Sequence, residues 1–266
     1  EQFALLVVGA IIIILRVYAR WVQVGPAKWQ LDDYLMPFIG LVFGIATVTA
    51  YVVVGEMHGL TNAMNDESRS TIDAASKEYR HRQYGSKMQI LLWSLYAFIL
   101  WSLKVCVTVF YSRLTSGLPN LRQRVYFAYI LLGTTYTAAL LTIFLSCRPI
   151  SKFWQINPDP GNSCQPAISR PYVLVIIIPT IFINIYLLSI PLPLFWKINI
   201  TRWRKVVLIS LFSGAIWSMT MGLVRAVIIL EAGPNVVGLG SAWACRETFV
   251  AIVVTNLPIL QPLFRK

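Results

Sequence analysis

Four charged side chains fall inside long apolar runs: Lys104, Arg225, Arg246 and Glu247. A charge at bilayer depth costs at least ~2.5–3.5 kcal/mol on insertion scales, so each needs a partner or a polar cavity. Counting from the ends of their runs places Arg225 and Glu247 at similar depth on consecutive apolar segments. They read either as a packing salt bridge or as a polar floor beneath a ligand cavity. Lys104 lies deeper in its run, with a stem flexible enough to snorkel by several ångströms. Toward the same end, Arg16 and Arg20 sit one turn apart in a layer with Asp32 and Asp33, the candidate partners of Lys104. This charge layer reads as structural and not as chemical.

The elements that position these groups follow from composition. The 266 residues are 57% hydrophobic and only 13% charged, with a mean hydropathy of +0.65. Ordinary soluble domains carry about 25% charged residues, so both a soluble globule and a disordered chain are excluded. A spanning helix needs ~20 mostly apolar residues. Seven stretches qualify, at about 2–20, 32–54, 88–112, 125–147, 171–196, 205–230 and 242–264. Alternating strand patterns are missing, which excludes an outer-membrane barrel. The expected fold is therefore all-α: one seven-transmembrane helix bundle over residues 1–266. The chain opens at Glu1 and its last apolar run ends at Phe264, so it reads as a membrane core trimmed at both ends.

The net charge of +12 would suggest nucleic acid in a soluble chain, but no such binding motif is present and none is expected to bind. Basic residues instead mark the odd-numbered connections and the C-terminal end: Arg16, Arg20 and Lys28; Arg113, Arg122 and Arg124; Lys197, Arg202, Arg204 and Lys205; Arg265 and Lys266. The even connections are longer and mix bases with acids such as Asp66, Glu67, Asp73, Glu78 and Asp159. The positive-inside rule then puts the N-terminus outside and the C-terminus in the cytosol. The sequon Asn199-Ile200-Thr201 lies on the expected cytosolic side and should stay unmodified. The longest connection, about 55–87, has room for a short surface helix within Asn65 to Tyr84. Its two histidines, His58 and His81, read as solvated loop residues and not as a metal site.

Of four cysteines, Cys106 falls in the inner half of the third span, a small apolar filler. Cys147, Cys164 and Cys245 lie at or beyond the outer face, where disulfides persist. Cys147 and Cys164 are nearest in sequence, and a bridge would pin the segment between them over the bundle mouth. Pairing of either with Cys245 is the competing arrangement. Prolines fall within spans two (Pro37), five (Pro179, Pro191, Pro193) and seven (Pro258, Pro262), each removing a backbone hydrogen bond. Gly40-x-x-x-Gly44 permits close helix approach.

Several chemistries lack their residues. The seventh span has no lysine, so a retinal Schiff base cannot form there and no cofactor is expected. Paired aspartate-rich faces for a magnesium-bound diphosphate, clustered histidines for haem and a phosphate loop are missing too.

The motifs resemble the fungal rhodopsin-like domain family, multi-pass proteins of filamentous fungi with a large receptor-like class. Arg16-Val-Tyr18-Ala-Arg20 followed by Asp32-Asp33 is similar to its opening motif. Gly55-x-x-His58-Gly59, Lys104 with Phe110-Tyr111-x-Arg113, and Cys147-Arg-Pro149 with Trp154, Gly161 and Cys164 continue the likeness. So do Pro191-Leu-Pro193 with Lys197, Gly214 with Arg225, and Glu247 with Leu257-Pro258 and Gln261-Pro262-Leu263. The family usually carries an aspartate about seven residues before the first proline of its fifth-helix motif. Here that position is Asn184, which removes the charge a proton- or cation-dependent role would need.

The resemblance implies a receptor-like multi-pass protein of the fungal surface, expected in the plasma membrane. Its partners would be the lipid bilayer, a small hydrophobic ligand in an outward-facing pocket near Arg225, Glu247, Arg246, Asn184 and Lys104, and a cytosolic signalling partner. A membrane enzyme or accessory protein of secondary metabolism is the second expectation, with Arg225, Glu247 and Lys104 supplying acid or electrostatic groups. A transporter is the third.

Overall fold

The computed structural model describes residues 1–55, 60–61, 64, 66–73, 75–115, 117, 119–161, 164–165, 170–192, 202–231 and 236–261. His58, Lys197, the Asn199 sequon, Pro193, Pro262, Leu263, Arg265 and Lys266 lie outside the described residues. Among the described residues eight α-helices follow one another: α1 (Gln2–Val24), α2 (Leu31–Gly55), α3 (Asp66–Thr71), α4 (Lys77–Leu114), α5 (Pro119–Leu145), α6 (Arg170–Ser189), α7 (Arg202–Glu231) and α8 (Val236–Leu260). Among the described residues there is no strand. Within the described residues six helices are long and apolar enough to cross a membrane: α1, α2, α4, α5, α7 and α8. α6 carries a shorter apolar stretch, Leu174–Ser189.

The long helices close into a ring in which α1 packs on α2, α2 on α4, α4 on α5, α5 on α6, α6 on α7, α7 on α8, and α8 back on α1. α4 also reaches across to α8. It divides the interior: Ile99, Leu103 and Cys106 pack toward α1, α2 and α8, while Trp93, Leu100 and Tyr111 pack toward α5, α6 and α7. Such a partition helix must be covered on nearly every side, which explains its many buried residues.

The faces of α1 show which solvent surrounds the ring. Val7, Ile11, Ile14, Tyr18 and Trp21 recur at helical spacing and are all exposed, whereas Gly9, Ile13, Arg16 and Ala19 are buried. A helix that points its apolar stripe outward and its arginine inward suits hydrocarbon, not water. The chain is a multi-pass membrane protein.

Several boundaries differ from the sequence expectation for local reasons. α4 begins at Lys77, not near 88, because Ser76 caps it by accepting from the Tyr79 backbone N–H at 3.1 Å. That cap starts a helix in the mixed-charge segment, so His81 is an exposed helical residue and not a loop residue. The expected surface helix shrinks to α3. α6 ends at Ser189, two residues before Pro191, consistent with the bias against helix at residues preceding proline. α8 starts at Val236, which carries Cys245 well inside the helix, buried and unpaired. α1 stops where Gly25 adopts φ 71°, a left-handed value that glycine takes without steric cost.

The disulfide joins Cys147 to Cys164; Cys106 and Cys245 are free and buried. Within the bridged segment, residues Ile150–Trp154 form a 3-10 turn that packs on α4, with Phe153 fully buried. Arg69 of α3 pins the segment from the other side, donating to the carbonyls of Ile156 at 2.9 Å and Thr61 at 2.8 Å.

Candidate functional site

One stripe of α4 organises the polar interior. Trp93, Tyr96, Leu100, Lys104, Val107 and Tyr111 are spaced three or four residues apart and so share a face. Three cavities open along that face. The first, of about 100 Å³, lies where α1 and α8 begin and α2 ends; its walls include Phe43, Thr47, Val53, Trp93, Tyr96, Arg225, Ser241 and Thr248. A small second space of about 20 Å³ sits behind Tyr96 and Arg225 and is bounded by Thr180, Ser218 and Glu247. The third, of about 70 Å³, is enclosed by α4, α6, α7 and α8 and includes Lys104, Tyr111, Asn184, Ser218 and Thr255.

Arg225 and Glu247 come together, but not as a salt bridge. The half-buried Arg225 guanidinium lies 4.3 Å from the Tyr96 ring centroid and 4.8 Å from that of Trp93. A guanidinium over aromatic faces gains cation–π attraction while its edge stays free for hydrogen bonding. Its Nε has no hydrogen-bond partner among the described residues. Tyr96 in turn donates its hydroxyl to Glu247 Oε2 at 2.5 Å, and Ser218 donates to Oε1 at 3.5 Å. Glu247 is 1% exposed. Tyr96 thus touches both charged groups, accepting the cation on its ring and donating a hydrogen bond to the carboxylate. Both Arg225 and Lys104 interact electrostatically with Glu247.

Lys104 does not join the charge layer, contrary to the sequence expectation. It is buried in the wall of the third cavity, its ammonium 5.6 Å from the ring centroid of Trp101. Asn184 of α6 lines the same cavity, buried, with Nδ2 unpartnered. Arg246 leaves the pocket group altogether. Its helical position turns it toward α1, where it donates to Glu1 at 2.5 and 2.9 Å and stacks 5.1 Å from Trp243.

The charge layer at the opposite end ties four helices. Arg16 of α1 donates to Asp32 Oδ2 at 2.5 Å and to Asn256 Oδ1 of α8 at 3.3 Å. Arg20 grips Asp33 through two bonds of 2.9 and 2.8 Å. Arg113, at the end of α4, pairs with the other oxygen of Asp32. Arg16, Asp32 and Asp33 are all buried, which a bilayer tolerates only in such a closed network.

Sequence reasoning missed Tyr96, Trp93, Ser218, Asn256 and the inward role of Arg113. The helical stripe on α4 was the available signal, since it carries three aromatics and a lysine on one face. The bridged segment was expected to roof the pocket; none of its described residues lines the first cavity, because Phe153 and Trp154 pack against α4 and its neighbours instead.

No curated protein and no solved structure matches the chain. The family model of the Fungal rhodopsin domain matches residues 15–266. That match takes in the charge layer, the disulfide and every cavity residue named above, and the chain belongs to the fungal rhodopsin domain family.

Proposed function

We propose that the protein is a receptor-like sensor whose first cavity holds a small, largely apolar ligand bearing an acidic or acceptor group. The observation that carries this reading is Arg225: its guanidinium is stacked on Trp93 and Tyr96, faces an apolar cavity, and keeps an unpartnered Nε. Ligand sites are typically apolar with a few convergent polar groups. A ligand that draws Arg225 off Tyr96 would change the Tyr96–Glu247 bond between α4 and α8, and α4 ends at Arg113 in the charge layer.

The basic connections support an orientation with the N-terminus outside and the residues around Arg113 and Arg202 in the cytosol; a surface sensor so oriented would sit in the plasma membrane. Glycan found on Asn199 in cells would overturn that orientation.

The binding test uses protein in lipid nanodiscs with octanoate, benzoate and phenylacetate, each beside its matching alcohol. We expect an acid to slow hydrogen exchange around Trp93 and Tyr96 and to change it across 113–124. Arg225→Leu should lose the response at least tenfold in concentration. An unchanged response in that variant, or none to any probe in the native protein, would overturn the reading.

A further inference from the structure

The third cavity presents donors without an acceptor. Lys104 is buried at 7% exposure, and its ammonium makes no hydrogen bond or ion pair with any described residue. Glu247, the carboxylate that interacts with it electrostatically, already accepts from Tyr96 and Ser218 and also faces Arg225. Two cations therefore surround one carboxylate in the middle of the bundle. Across the cavity Asn184 is 6% exposed, and its Nδ2 has no acceptor. The walls between them are apolar, built from residues such as Leu100, Leu187, Leu211 and Val254.

A buried ammonium whose nearest carboxylate is already shared with Arg225, Tyr96 and Ser218 is costly at membrane depth. A negative guest would give the ammonium a second counter-charge and the Asn184 amide an acceptor, and charge-assisted bonds in a low-dielectric site are the strong ones. The space is limited. A water needs about 10–15 Å³ on this measure, so about 70 Å³ holds roughly five waters. That suits a halide or a carboxylate of very few carbons, and not a lipid.

We propose that this cavity is a binding site for a small monoanion, a halide or a short carboxylate, held between Lys104 Nζ and Asn184 Nδ2. The site shares no lining residue with the ligand cavity at Arg225. The anion supplies the charge that Asn184 lacks, and it lies between α4, α6, α7 and α8, which it fastens together.

The test measures thermal unfolding of the purified full chain in detergent at constant ionic strength, replacing sodium gluconate stepwise by chloride, bromide or acetate. The native protein should show a saturable rise in midpoint with at least one of the three. Halides acting alone would identify a halide site; acetate acting as well would identify a carboxylate site. Lys104→Met should abolish the rise. Asn184→Asp places a carboxylate opposite Lys104, so it should match in gluconate the stability of the saturated native protein and lose the anion response. A native protein indifferent to all three anions, as expected of a cavity filled by water alone, would overturn the proposal. So would an Asn184→Asp variant that responds at the native concentration, whether or not Lys104→Met folds.

Discussion

The hydroxyl of Tyr96 donates to the carboxylate of Glu247 across 2.5 Å, joining α4 to α8 where the Arg225 guanidinium covers the other side of the same ring. Replacing Tyr96 by Phe keeps the ring under Arg225 and removes only the proton donor. Loss of a hydrogen bond to a buried charged group costs about 1.5–3 kcal/mol. Tyr96→Phe should lower unfolding stability by that order, and Tyr96→Phe with Glu247→Gln should cost less than the two single changes added. Strict additivity in this double-mutant cycle would show that the bond contributes nothing.

Removing Asp32 leaves Arg16 buried with its main counter-charge gone and frees Arg113. Breaking a buried pair from one side typically costs about 3–5 kcal/mol, so Asp32→Asn should unfold earlier than any other single change in the charge layer. Arg113, a quarter exposed by its side chain, should be milder: Arg113→Gln would hydrate, with faster hydrogen exchange at the end of α4 as its main readout. Equal losses for both variants would contradict this ranking.

The bridge between Cys147 and Cys164 spans 17 residues. The chain-entropy account assigns about 3 kcal/mol to a loop of that size. Under denaturing, non-reducing conditions two thiols, Cys106 and Cys245, should react with a maleimide, and four after reduction. Labelling of four without reductant would show that the bridge is absent.

Two glycines at helix contacts should respond oppositely to alanine. At Gly40 the added carbon meets the flexible end of Ile13 at 2.9 Å, which can rotate aside. At Gly214 it would run into the branched Val254, including its Cβ at 2.8 Å. Gly40→Ala should be nearly neutral, whereas Gly214→Ala should cost about 1–3 kcal/mol by overpacking. Adding Val254→Ala should recover most of that loss; if it does not, α7 and α8 do not meet at this point.

Much of the fold was legible because hydrocarbon demands long apolar runs, and runs survive as a signal without any knowledge of packing. Boundaries were less so. Lys77 to Lys87 reads as a polar connection, yet the Ser76 cap and the absence of proline let α4 continue through it, past Gly85. Depth along a helix was legible as well, which put Arg225 and Glu247 at one level. Azimuth was not. Lys104 was assigned to Asp32 and Asp33 by depth alone, while its place on the face shared with Tyr96 and Tyr111 turns it toward Asn184. The same blindness hid Arg113, which looked like a loop cation and closes on Asp32. The departure at Asn184 was visible as a missing charge, and its meaning emerged only beside an unpaired lysine.

Because α4 lines the first cavity with Trp93 and Tyr96 and the third with Lys104 and Tyr111, occupants of the two would press on one helix at different levels. Any free energy by which one guest displaces that helix enters the affinity of the other, and linkage makes the effect reciprocal. The ionic composition of the medium would then act as a gain control on the sensor, setting the concentration at which the outer guest is noticed.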